Sequence, residues 1–438
     1  MEPRLQRRYE KLVVAHLRTA PILAGGLASL PGVAESFAAT QAAWRFYGNK
    51  RLSLPRLAQP LLQNVRRELA EQGPGWLLVA HDWSLLHYSG QAHKEGRIAL
   101  GNTHDLGYEL LSSLALDDKD GHPLAPVAQE LRAQEGLYST RSARRLKALS
   151  QLDGLTPVFA HLETLKLGRP LVHILDREAD SIGHYRQWHQ QGWRFLVRAD
   201  QERVVRHEGQ RRTLAQVVAA LRRGQVWIPA DPLLHESELI QPWVAETSVT
   251  LQGPARQYRK VGGRMVQRNV PGPPLTLRLI VSELRDDQGC VRAHWLLLTN
   301  LPAEVLAATL VLWYYFRWRI ESYFKLMKQA GQQLESWQQA SAAASARRLL
   351  VASMAAVVVW HLARSTHPQA PELRSVLVRL SGRQMKRGPD APGFTEPALL
   401  AGLGVLLPML ALLEHHSVAE LRQLVEHVLP LPRPVDSG

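Results

Sequence analysis

Apolar positions along this chain change their period several times, and each change predicts an element. Residues 5–17 carry them at helical spacing among basic side chains, and a short helix is predicted over 40–47, with Thr40 as its N-cap and Gly48 and Asn49 as its stop. A third helix is predicted over 54–70, and Gly73, Pro74 and Gly75 read as a linker. The runs then shorten to strand length. Strands are predicted at 76–80, ending at His81 and Asp82, and at 109–116 and 123–129 around a turn at 117–121. A helix over 142–165, a strand at 171–175 ending at Asp176, a helix over 179–189 and a strand at 193–197 follow. Three strands, helix, strand, helix, strand is the order of an α/β domain built on a mixed sheet.

From 201 to 290 short Val/Ile/Leu runs alternate with Gly253, Pro254, Gly262, Gly263, Pro271 and Gly272, which predicts a β-rich insertion. A strand at 294–298 and one long helix over 303–330 come next, and the rest reads as helical. Within it, 351–363 is expected as a core helix. The apolar run 397–413, interrupted by Gly402, Gly404 and Pro408, is expected as a buried helical hairpin rather than a membrane span.

Charge changes this picture more than composition does. The chain has 438 residues, long enough for two to four domains, and 45% hydrophobic residues, enough for sizeable cores. Its formal charge is +14, and the first 70 residues hold eleven Lys/Arg against four acids. Such a chain is drawn to polyanions, nucleic acid first among them. A single cysteine, Cys290, excludes an internal disulfide and a cysteine-based zinc site. Arg7, Arg8, Glu10, Lys11 and Arg18 interrupt any leading apolar stretch, so no secretory signal is expected and the cytoplasm is the expected compartment.

Asp82 and Asp176 each stand at the carboxyl end of a predicted strand, where α/β sheets build sites, although aspartate also ends strands as a turn former or helix cap. On the helix 303–330, Tyr314, Arg317, Glu321, Lys325 and Lys328 fall on one stripe roughly 80° wide. Trp313, Phe316, Ile320, Phe324 and Met327 form a second stripe suited to burial. The first stripe reads either as a solvated face with i,i+4 ion pairs or as an acid set among cations. Taken together, three carboxylates suit hard divalent cations, and flanking Arg and Lys suit the phosphates of a polyanion.

The run Tyr314-x-x-Arg317-x-x-x-Glu321-x-x-x-x-x-x-Lys328 resembles the Y-(2)-R-(3)-E-(6)-K signature of the IS4-type DDE transposases. Asp176-Arg177-Glu178-Ala179-Asp180 is similar to the family's second-aspartate motif, and Ala80-His81-Asp82-Trp83-Ser84 to its first. Residues 39–49 resemble its N-terminal DNA-binding segment, and the likeness runs from about 30 to 340. The resemblance implies an RNase H-like core, a mixed five-stranded sheet with helices, in which Asp82, Asp176 and Glu321 hold Mg²⁺ or Mn²⁺, two ions per site. It implies double-stranded DNA as partner, both terminal inverted repeats and target. Tyr314, Arg317 and Lys328 would hold the DNA end, helped by Lys325, with Arg198 as a further phosphate contact and Arg45 in the N-terminal segment. Trp295 resembles the tryptophan on which the family stacks a flipped base, although a strand tryptophan also reads as core packing.

The expected layout is a helical DNA-binding domain over 1–73, the first part of the catalytic core over 74–200, the insertion over 201–290, the second part over 291–345, and a helical, dimerising region over 346–438. The expected activity is cut-and-paste transposition by strand cleavage, a hairpin intermediate and strand transfer, in a homodimer with no membrane partner. An RNase H-like structure-specific nuclease and a non-catalytic repressor derived from a transposase are the competing readings. End-sequence recognition separates transposase from nuclease, and loss of an acid would mark the repressor.

Overall fold

The computed structural model describes residues 1–17, 33–224, 227–235, 238–261, 264–328, 330–383 and 393–428. In chain order its elements are α1 (Pro3–Leu17), α2 (Val33–Gly48), α3 (Leu54–Gln72), β1 (Leu77–His87), β2 (Ile98–Ala99), β3 (Leu106–Asp117), β4 (Pro123–Ala133), β5 (Gly136–Ser139), α4 (Gln151–Thr164), β6 (Leu171–Leu175), α5 (Ile182–Gln190) and β7 (Arg194–Arg198). Then come β8 (Val204–His207), β9 (Gln210–Thr213), α6 (Leu214–Gly224), β10 (Ile228–Pro229), β11 (Leu233–His235), β12 (Glu238–Leu251), β13 (Ala255–Val261), β14 (Arg264–Val270), β15 (Leu275–Arg285) and β16 (Val291–Thr299). Helices close the order: α7 (Ala307–Phe316), α8 (Arg319–Met327), α9 (Ala342–Arg364), α10 (Ala370–Leu380), α11 (Glu396–Leu413) and α12 (Val418–Val428).

The chain divides into two compact units. One comprises Ser53–Gly90 and Gly96–Phe324. It is mixed α/β, built on a large mixed sheet in the order β5-β4-β3-β1-β6-β7-β16-β15-β12-β8-β9. β1, β6 and β7 run parallel, and the pairs to either side of them are antiparallel. Leu77 to Ala80 and all of β6 are buried, and apart from His173 these stretches are apolar, as suits central parallel strands covered on both faces. The region 201–290 is β-rich as expected, but it includes α6, and most of its strands join the main sheet. β12 and β15 prolong the main one through β16, and β13 with β14 forms a two-stranded ribbon.

Strand ends differ most from the sequence reading. β1 runs on to His87, seven residues past Ala80, because β3 keeps pairing with it from Asp117 to Gly107 after β6 has stopped. Asp82 therefore lies inside a strand. The helix expected over 142–165 starts at Gln151, where Ser150 Oγ accepts from the Asp153 amide and caps it. The helix expected over 303–330 is two helices, α7 and α8, set apart at Arg317 and Trp318.

The other unit comprises Met1–Leu52, Gln91–Glu95 and Lys325–Gly438, so α3 sorts with the sheet rather than with α1 and α2. α9 is its core helix, buried along most of its length, as 351–363 predicted. Arg347 on it donates to the carbonyls of Tyr47 and Leu52, and buried His16 sits between Gln332 (2.6 Å) and Tyr47 (3.1 Å). Burial lowers the His16 pKa to about 3. α2 begins at Val33, so Thr40 lies within the helix rather than at its N-terminus. Residues 397–413 form one helix and not a hairpin. Gly402 brings α11 against the Leu377 carbonyl of α10, where a side chain would collide, so this glycine serves packing rather than a turn. α9 and α11 are the described helices long and apolar enough to cross a membrane; 78% of the α9 window is buried, which makes it a core helix.

Candidate active site

The site begins with the register of two strands. β1 and β6 pair in parallel, and their last partners are Ala80 and Ile174. Asp82 and Asp176 each stand two residues further on, at equivalent places on neighbouring strands. Because side chains alternate along a strand, His81 points to the opposite face from Asp82. There its ring meets Ser113 Oγ at 2.9 Å and His173 Nδ1 at 2.9 Å, and His173 stacks on Phe159 with centroids 3.6 Å apart. Burial pushes His81 well below the usual histidine range and His173 to about 3. These two neutral rings tie β1, β3, β6 and α4 together directly behind the aspartates.

The third acid comes from α7 and α8. Trp313, Phe316, Ile320, Phe324 and Met327 are buried, as their stripe predicted. Trp313 Nε1 donates to the Asp118 carbonyl at 2.9 Å, Phe316 closes over Gly121, where a side chain would collide, and Gln129 Nε2 donates to Tyr323 Oη at 2.7 Å. Between the helices the amides of Arg317, Trp318, Ile320 and Glu321 bond three residues back instead of four, which tightens the turn. The break leaves Arg317 only 4% exposed, although the sequence offered a solvated face.

Arg317 lies amid all three acids. Its Nη1 is 3.5 Å from Asp82 Oδ2, and its Nη2 is 3.4 Å from Asp176 Oδ2 and 2.9 Å from Glu321 Oε1. Tyr314 donates its hydroxyl to Asp176 Oδ1 at 3.0 Å, and Arg198, ending β7, is 3.8 Å from the same oxygen. Backbone amides complete the cradle. Trp83 N–H reaches Asp82 Oδ1 at 2.8 Å, and Arg177 N–H reaches Asp176 Oδ1 at 2.7 Å.

The two aspartates diverge electrostatically. Burial raises Asp82 to about 6, against the pull of Arg317 and the Trp83 amide, with Glu321 and Asp176 adding to the rise. Burial acts the same way on Asp176, but Arg317, the Arg177 amide, Tyr314 and Arg198 together outweigh it and bring that carboxyl below its ordinary value. For Arg317 the burial that would lower its pKa is overcome by Tyr314 and the three acids, so the guanidinium stays firmly charged.

Three carboxylates against one central cation leave negative charge in excess, and every donor is oxygen. That chemistry fits a hard divalent ion such as Mg²⁺ or Mn²⁺. Among the described residues no group of three or more His, Cys, Asp and Glu is already set to hold a metal directly. Arg317 stands where the three carboxylates converge.

The remaining expected residues are placed differently. Lys325 is exposed in the last turn of α8, and Lys328 pairs with Glu335 at 3.1 Å. Trp295 is 4% exposed, edge-on to Tyr314 at 5.3 Å, so its face is packed rather than presented. The aromatic surface at this site is Trp318, 46% exposed and 6.0 Å from the Arg317 guanidinium. The sequence placed it inside the signature run but gave no sign that the helix would break there. In the other unit Arg45 joins Arg4, Arg7, Arg8 and Lys11 along a cleft between α1 and α2 whose described lining holds no acid. No protein-family model matches the chain, and no curated protein matches it.

Proposed function

We propose that this chain is a DNA transposase of the IS4 type, acting by metal-dependent strand cleavage and strand transfer. The observation that carries the reading is the convergence of Asp82, Asp176 and Glu321, from three separate elements, on the buried Arg317. The order of three antiparallel strands, helix, strand, helix, strand supports an RNase H-like core over β1 to β7, with the third acid on a helix after the last sheet strand and the β-rich stretch inserted between them. The basic cleft of α1 and α2 supports a DNA-binding N-terminal region, and the helical C-terminal region is proposed to pair two copies.

Asp82, Asp176 and Glu321 would hold the divalent ions. Divalent ions held there would supply activation of an attacking oxygen and stabilisation of a leaving one in phosphoryl transfer. The protein's own groups do the rest. Tyr314 and the Arg177 amide fix the Asp176 carboxylate, leaving its second oxygen toward Arg317. Arg317 and Arg198 offer N–H donors to phosphate oxygens, with Arg317 suited to a bidentate grip. Trp318 offers an exposed ring on which an unpaired base can stack.

The test is incubation with DNA bearing the terminal repeats that flank the coding sequence, with and without Mg²⁺, beside Glu321→Gln. Metal-dependent hairpin ends from the wild type and none from the variant are expected. Nicking without end preference would replace the reading with a nuclease, and end binding without cleavage in Mg²⁺ or Mn²⁺ would replace it with a repressor.

A further inference from the structure

Arg317 is more than a phosphate contact held ready at the edge of the site. Its guanidinium lies within 3.5 Å of an oxygen from each acid, and its residue is 4% exposed. Its Nε is buried and has no hydrogen-bond partner among the described residues. A buried donor without an acceptor is uncommon in a finished site and points to a group that arrives later. Two features thus meet in one side chain: its guanidinium lies among the three acids, and its buried Nε has no partner among the described residues.

We infer that Arg317 is an internal counter-cation that competes with the divalent ions for Asp82, Asp176 and Glu321, and that an incoming DNA phosphate draws it off. In the free chain the guanidinium neutralises part of the triad's charge and keeps the acids from repelling one another. A divalent ion touching the same oxygens would lie against a fixed positive charge, so it binds weakly until the arginine turns. A phosphodiester supplies the acceptor that Nε lacks and takes over the Nη donors. Metal and DNA binding are then positively coupled, and by thermodynamic reciprocity each strengthens the other by the same factor. The site stays poor in metal until DNA is seated, which restrains cleavage elsewhere. This inference rests on the transposase reading for the identity of the phosphate, but not for the competition itself.

The experiment is Mn²⁺ binding followed by electron paramagnetic resonance of the full chain, without DNA, for the wild type, Arg317→Gln and Arg317→Lys. Arg317→Gln removes the charge and keeps much of the volume, and its Mn²⁺ affinity is expected to rise tenfold or more. Arg317→Lys keeps the charge and is expected to stay close to the wild type. Equal or weaker Mn²⁺ binding by Arg317→Gln would overturn the inference and make Arg317 a group that merely positions the acids. The wild type alone provides a second arm that does not depend on how a variant folds. Its Mn²⁺ affinity is expected to rise when the terminal-repeat duplex is added, and an unchanged affinity with DNA bound would also overturn the coupling. Tighter Mn²⁺ binding by Arg317→Gln in a protein that never cleaves DNA would sink the transposase reading and leave the competition standing.

Discussion

Tyr314 donates its hydroxyl proton to Asp176 Oδ1 at 3.0 Å, from a ring held edge-on by Trp295. That bond and the Arg177 amide engage one oxygen of the carboxylate and turn the other toward Arg317. Tyr314→Phe removes the bond and little volume. Losing one hydrogen bond to a charged group is expected to lower DNA cleavage by about tenfold, a little over 1 kcal/mol. The Asp176 carboxyl should also move up toward its ordinary range, since Tyr314 is one of the groups holding it down. Single-turnover cleavage and carbon NMR of the labelled carboxyl check the two parts, and an unchanged Asp176 titration would remove Tyr314 from the site's electrostatics.

Asp82 behaves in the opposite way. Burial lifts it to about 6 in the folded chain, above the roughly 3.9 of an unfolded aspartate. Between those values the folded chain keeps a proton that the unfolded chain has lost. Its contribution to stability is therefore full below about pH 4 and is lost as pH rises through about 6. Asp82→Asn has no such loss. In metal-free buffer its unfolding temperature, measured relative to the wild type, is expected to climb between pH 4 and pH 7 and then level off. A difference that stays flat across that window would contradict the raised value.

How much of this was legible beforehand depends on whether a feature is local. Asp176 could be placed because β6 is a short apolar run ending sharply at it, and the buried stripe from Trp313 to Met327 followed from helical spacing alone. The end of β1 could not be placed, since nothing between Ala80 and His87 halts a strand and it is β3, far off in sequence, that keeps it paired. The break between α7 and α8 was hidden for the same reason. Residues 314–321 contain neither Gly nor Pro, and the tightened turn is held by partners elsewhere: Asp118 and Gly121 beneath α7, Gln129 beneath α8, and the two aspartates around Arg317. Spacing put Arg317 and Glu321 on one stripe, but it could not say that the arginine would be buried and the glutamate left half exposed.

The cleft between α1 and α2 carries a separate expectation. Arg4, Arg7, Arg8 and Lys11 recur at helical spacing on α1, and Arg45 faces them from α2. Contacts of this kind bind phosphates without reading bases. Each of Arg7→Ala, Lys11→Ala and Arg45→Ala is expected to weaken duplex binding to a similar degree for any sequence, and to reduce the slope of log affinity against log salt by about one. Titrations at several salt concentrations measure this. A variant that weakened binding to one sequence and spared another would mean that the cleft reads bases.

Trp295 and Trp318 make the sharpest contrast, because the sequence favoured the first as a base platform and the structure exposes the second. Trp295 is 4% exposed and packed against Tyr314. Emptying such a site is expected to destabilise the fold by roughly 3–5 kcal/mol, as large aromatic-to-alanine changes in cores do. Trp318 is 46% exposed, and its removal is expected to change stability by no more than about 0.5 kcal/mol. On unpaired DNA the ranking reverses. If a base stacks on Trp318, Trp318→Ala loses about 1–3 kcal/mol of single-strand affinity, roughly fivefold to over a hundredfold. A 2-aminopurine placed near the cleaved end would then be quenched by the wild type and stay bright with the variant. Chemical denaturation of both variants, set beside that fluorescence signal, separates a tryptophan that holds the protein together from one that holds DNA. Quenching that survives Trp318→Ala would return the role to Trp295, and would require its strand to open when DNA binds.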